Sequence, residues 1–265
     1  MKINAMVLVF VMTLAVPCAL FAAESAGTGA KASANVDTSV VQKMAEIRSK
    51  ADEKFDPNSY FTVLTRIAMK RGYVLDYVYW KDGLGSYPCL YARRTSEPRK
   101  KLEPAEAHSA DEMKRQRDSL GGICDGKNIV NLLPLMTADD SLDSYFQLAL
   151  FLKAARQFRL GWHANYNDVK ILTSPADIDS CAADVNSYGS PKPTDPNAAL
   201  WKRARAWLKD PEVVLGPDTA EVQYSQFTKW GGFSRVRDTF SRQSPHTLVK
   251  SEVLDKIEYD CGIRY

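Results

Sequence analysis

The stretch EVQYSQFTKWGGFSRVRDTF, Glu221–Phe240, decides the fold class. β-branched and aromatic residues, Val222, Tyr224, Phe227, Phe233, Val236 and Phe240, flank Gly231-Gly232 on both sides, which reads as two strands joined by a tight turn. Two glycines suit a turn with positive φ at both central residues, so strands are expected over 221–230 and 233–240. Asp195-Pro196 opens a helix upstream that carries Leu200, Trp201, Ala204, Trp207 and Leu208 on one side. A last strand, about 251–259, precedes Cys261.

The same order occurs twice earlier. Asp140 or Ser141 caps an apolar helix with Leu142, Tyr145, Phe146, Ala149, Leu152 and Ala155, and strands over 158–163 and 169–173 flank a turn at 164–168. Before that, Val40, Met44, Ile47 and Ala51 form a helical stripe. Asp56-Pro57 then opens a second helix, with Val63, Leu64 and Ile67 inward and Gly72 as its stop. The strands 73–80 and 87–93 follow around Lys81-Asp82-Gly83, with a loop somewhat longer than the minimum. Helices with one apolar face before antiparallel hairpins define an α+β class, a sheet with helices mainly on one face and three helix-then-hairpin units.

The chain of 265 residues carries a formal charge of only +3, too little to imply a nucleic-acid partner or an acidic membrane. Lys2, the apolar run from Ala5 to Phe21 and the small residues Ala22 and Ala23 read as a secretory signal over 1–22. No later run reaches the roughly 20 apolar residues of a membrane span. The expected compartment is therefore periplasmic or extracellular. Residues 23–36, rich in Ala, Ser and Gly, read as a disordered leader, and 37–265 as one domain.

Four of the five cysteines lie beyond the signal: Cys89, Cys124, Cys181 and Cys261. In an oxidising compartment an even number favours two disulfides, Cys89 with Cys124 and Cys181 with Cys261, each joining sequence neighbours. Their wide spacing offers no pair of thiolates to a zinc ion, and His108, His163 and His246 are equally scattered, so no metal or other cofactor is expected. Gly121-Gly122-Ile123-Cys124-Asp125-Gly126-Lys127 imitates a phosphate loop. Asn128 nevertheless stands where a hydroxyl should meet magnesium, and 129–133 reads as strand rather than helix.

Two places carry possible site chemistry. His163 with Asp168 across the turn forms a base and its orienting carboxylate, with Tyr166 as acid or binding group, and this is the expectation for a hydrolase. The same Asn165, Asn167 and Asp168 are also what a turn needs. Trp80, Trp162 and Trp230 each end the first strand of a hairpin; neighbouring hairpins of one orientation would gather them, with Asn165, into a rim able to stack a sugar ring or peptide aromatic. Arg235 and Arg237 are expected to share a face with Tyr224 and Gln226. The segment 95–122 interleaves Arg99, Lys100, Lys101, Lys114, Arg115 and Arg117 with acids and suits an inhibitor or immunity-type contact. The leading expectation is a non-catalytic binding protein for a small-molecule, glycan or protein ligand, with the tryptophan rim as its site.

Overall fold

The structure is a computed structural model that describes residues 32–49, 55–82, 85–100, 111, 128–156, 158, 168–186 and 198–259. The strands are β1 (Ala32–Asn35), β2 (Ile67–Met69), β3 (Tyr73–Asp82), β4 (Gly85–Arg94), β5 (Met136–Ala138), β6 (Lys170–Leu172), β7 (Glu212–Leu215), β8 (Thr219–Thr228), β9 (Gly232–Ser241) and β10 (Leu248–Ile257). The helices are α1 (Ser39–Ser49), α2 (Leu142–Arg156), α3 (Pro175–Asn186) and α4 (Ala198–Trp207). Helices and antiparallel sheets together make an α+β fold, and the described residues belong to one compact unit.

A six-stranded sheet runs β1-β7-β8-β9-β10, with β6 also on β8. β7 takes the first half of β8 and β6 the second, while β9 pairs along its whole length. Val222, Tyr224, Val236 and Phe240 face α2, which packs on β7 and β8 and also meets β2, β5 and the 3-10 helix Asn128–Leu135. Alternation sends Phe227 and Phe233 to the other face. There Trp201 of α4 meets both rings edge-on at 6.0 and 5.8 Å, with Ile178 of α3, Leu172 and Ile257 closing a second core. The long helix thus covers one face, and the shorter pair covers one end of the other.

Several elements differ from the sequence expectation. Residues 32–35, assigned to the leader, form an edge strand on β7, and Val36 is buried behind it. Asp56 does cap a helical start, accepting from Asn58 N at 2.9 Å, but the turn is a 3-10 helix ending at Thr62. Thr62, Val63, Thr65 and Ile67 are stiff at χ1 and favour extension, and Ile67 pairs with Ala138 in β2–β5. The expected strand at 129–133 is instead the 3-10 helix, which buries Leu132 and Leu133. β3 and β4 run on to Asp82 and Gly85, tightening the hairpin, and stand as a separate two-stranded sheet. β6 pairs with β8 over 170–172; Phe158 is buried coil, and 159–163, the partner strand expected from the sequence, lie outside the described residues. The first and third expected hairpins are present as β3–β4 and β8–β9, and most of the second lies outside the described residues.

The turn between β8 and β9 holds three residues, Lys229 to Gly231, since Thr228 pairs with Gly232. Of its two glycines only Gly232 has positive φ, at 72°. A Cβ there would stand 2.6 Å from the Ile257 carbonyl oxygen and 2.8 Å from Tyr259 Cβ, whereas one on Gly231 would meet a movable Thr228 hydroxyl at 3.0 Å. Gly232→Ala is therefore expected to cost about 2 kcal/mol or more in urea unfolding, and Gly231→Ala clearly less. Equal losses would show that the close approach of β10 is not what demands glycine.

Candidate functional site

The densest group of titratable side chains described lies where α2 begins. Asp139 Oδ1 accepts from Ser141 N, Ser141 Oγ accepts from Ser144 N at 3.1 Å, and the helix starts there. The chain reaches this cap through Asp140 at φ 59°, a left-handed conformation that aspartate tolerates better than most residues. Its carboxylate takes a two-point contact from Arg242, Nε to Oδ1 at 3.0 Å and Nη2 to Oδ2 at 2.5 Å. The Tyr145 hydroxyl donates to Asp140 Oδ1 at 2.6 Å, and His246 Nδ1 lies 3.2 Å from that hydroxyl and 3.3 Å from the Ser241 carbonyl oxygen. Arg242 Nη1 donates to Gly216 O at 2.7 Å.

The hydrogen bond from Arg242 holds the Asp140 carboxyl below its ordinary range, with Tyr145 adding to it against a smaller cost of burial. Burial, then the bond to Asp140, pushes the Tyr145 phenol up. Phenol, carboxylate and guanidinium thus keep their ordinary neutral-pH protonation states. The arrangement ties the start of α2 to the loop after β9 and to the β7–β8 turn. Sequence reading had singled out Asp140 only as a cap and His246 only as an isolated histidine, because their partners are a hundred residues away.

Two further carboxylates are buried. Asp76 on β3 binds Arg93 Nε at 2.8 Å and meets Arg99 Nε at 3.3 Å, and Lys100 N donates to Tyr91 OH at 2.9 Å. These contacts anchor the first residues of the charged segment, most of which lies outside the described residues. On β9, Asp238 accepts from Tyr224 OH at 2.6 Å and from Ser251 Oγ.

The expected hydrolase residues His163 and Tyr166, together with Asn165 and Trp162, lie outside the described residues. Asp168 is described, and its Oδ2 lies 3.8 Å from Arg48 Nη2 of α1. Trp80 sits on β3, in a sheet distinct from the one that carries Trp230, so those two hairpins are not neighbours in one sheet. Trp230, at the β8–β9 turn, is 40% exposed. The arginine expectation is corrected by the register: Arg235 pairs with Ser225 and Arg237 with Gln223, on the face opposite Tyr224 and Gln226. Arg237 lies between Glu221 at 3.5 Å and Glu252 at 3.6 Å, and Arg235 stacks on Trp207 while donating to its carbonyl.

Cys181 is a free thiol, which corrects its expected pairing with Cys261. It sits on the inward stripe of α3 with Ile178, Ala182 and Val185, against Leu172 and Trp201. Desolvation pushes its thiol up to about 11. The capping box that starts α3 was missed in the sequence, although Ser174-Pro175 with Asp177 spells it: Ser174 N donates to Asp177 Oδ2 at 2.8 Å, and Asp177 N to Ser174 Oγ at 3.3 Å. Cys124 and Cys261 lie outside the described residues. Among the described residues no helix is long and apolar enough to cross a membrane, and no group of three metal-ligating side chains occurs. Family models, curated proteins and solved structures yield no match to this chain.

Two outcomes follow from these contacts. A buried thiol pushed up to about 11 is protonated and shielded. Cys181 is therefore expected to resist a thiol reagent in the native protein and to react once the chain is unfolded without reductant; rapid native labelling at Cys181 would contradict its burial. Asp140, held below its ordinary 3.8, stabilises the fold fully above that value and ceases to do so as pH falls through the lower folded value. Asp140→Asn, which also tolerates positive φ, should melt below wild type at pH 6, with the gap closing below pH 3.8. A gap unchanged down to pH 2 would show that the carboxylate charge is not what holds the staple.

Proposed function

We propose that this is an exported, non-catalytic binding protein whose recognition element is the β8–β9 turn with Trp230 at its tip. The observation that carries the reading is the exposure of this indole, 40%, against 2% for Trp201 only one core away. A large aromatic ring kept half in water offers stacking area at small entropic cost, the property that enriches tryptophan at binding hot spots. The turn is held for that use. Gly231 N donates to Thr228 Oγ1 at 2.8 Å, Gly232 is wedged under Ile257, and Lys229 is buried beside Asp184 at 3.2 Å. Among the described residues, Asp76, Asp140, Tyr145, His246, Tyr224 and Asp238 have partners that tie separate elements together, which supports a structural role for these groups. We include Trp80 and Trp162 in the reading only as expected from the sequence.

Export rests on the leader pattern at 1–22. Cys89 is disulfide-bonded, which supports an oxidising compartment, and we take Cys124 as its partner. The ligand class is a glycan or an aromatic peptide, since both present a flat apolar face to an indole.

Glycan and peptide arrays probed with the purified protein, followed by calorimetric titration of the retained ligand, test the reading. Trp230→Ala should weaken binding by about tenfold or more and leave the melting temperature nearly unchanged. Wild-type affinity in the variant, or a loss of several kcal/mol of stability as for a core tryptophan, would overturn it.

A further inference from the structure

The six-stranded sheet ends at β10, which among the described residues is hydrogen-bonded to β9 alone. Three large apolar side chains stand exposed on this one strand: Val249 at 63%, Val253 at 61% and Leu254 at 37%. An edge strand presents unpaired backbone groups, and apolar side chains along it make it a template for another strand. Register shifts fall between Leu248 and Lys250 and between Val253 and Asp255, so Lys250 to Val253 is the regular stretch of the edge.

Val249-Lys250-Ser251-Glu252-Val253 is symmetric in chemistry about its central serine. Ser251 and Val253 pair with Asp238 and Val236 and share one face, while Lys250 and Glu252 pair with Thr239 and Arg237 on the other. An antiparallel strand related by a two-fold axis through Ser251 keeps each face in register. It brings Lys250 against Glu252 of the second strand twice, with the exposed Val253 carried to the bulge end near Val249. Moving the axis by one residue sets Lys250 on Lys250 or Glu252 on Glu252, so charge selects the serine-centred register. The pairs Lys250 now makes with Glu252 at 2.7 Å, and Arg237 with Glu252 at 3.6 Å, are surface contacts that exchange partners at little cost.

We propose that two copies of this chain associate edge to edge through β10, forming a continuous sheet about a two-fold axis at Ser251. The association is isologous, so it consumes both open edges and stops at a dimer. The bulges at either end confine the pairing to a few residues, and the dimer is accordingly weak and concentration-dependent. The surface is separate from the Trp230 turn, and ligand binding there can fail while the dimer stands.

Sedimentation velocity of the purified protein over a wide concentration range tests the proposal. Wild type should pass from monomer to dimer as concentration rises. Lys250→Glu alone and Glu252→Lys alone should each shift that transition to at least about tenfold higher concentration, because each homodimer then opposes like charges. An equimolar mixture of the two single variants should dimerise as wild type does, since the first supplies two anions and the second two cations. All three proteins should melt within a few degrees of one another. Wild type that stays monomeric, single variants that dimerise undisturbed, or a mixture that gains nothing over its components would each overturn it.

Discussion

Helix α2 is buried around most of its circumference, and the larger of the two cores is built around it. Eleven of its fifteen residues are buried. A helix of this kind cannot lie on a surface, because each buried Leu or Phe returned to water costs roughly 1.5–3 kcal/mol. The sheet takes one flank with Val213, Val222, Tyr224 and Val236, and further cover comes from Val40 and Met44 of α1, Tyr60, Leu64 and the β3–β4 residues Leu75 and Leu90. Its polar members are satisfied internally: Gln147 Oε1 accepts from Arg66 N at 2.8 Å, and Ser144 Oγ donates to Ser141 O at 2.8 Å. Short strands such as β2 and β5 make sense only as part of this cover, since three residues give a pair little stability of its own.

Paired charge marks the joints between elements, buried at Asp76 and Asp238 and partly exposed at Asp140. Asp76, Asp140 and Asp238 each sit where two elements meet, and each is answered by arginine, tyrosine or serine from elsewhere in the chain. For the buried Asp76 and Asp238, leaving the carboxylate unanswered would cost more than the pair contributes, so these contacts specify which elements meet as much as they add stability. Asp140 likewise specifies a joint. Its left-handed backbone is held by Arg242 and Tyr145, and the three together fix the angle at which the chain enters α2. The described chemistry-bearing residues at such joints are committed to the fold, whereas Trp230, Val249 and Val253, on the sheet's rim and edge, reach solvent.

What the sequence determined by itself is local. The apolar density of 142–155, the β-branched and aromatic residues of 73–80 and 221–240 and the glycine at 232 each act within a few residues, where propensity and allowed φ are decided by neighbours. Pairings between distant segments were decided only by tertiary structure. β1 and β6 are too short to show a period, and their partners lie more than fifty residues away. The run after Pro57 had helical spacing but β-branched residues, and pairing of Ile67 with Ala138 settled it as strand. The arginines show how little separates the two outcomes. A two-residue turn at Gly231-Gly232 would set Arg237 opposite Gln226, but three residues intervene and Arg237 faces Gln223. Because side chains alternate with a period of two, that odd shift in register moved both arginines to the opposite face of the sheet.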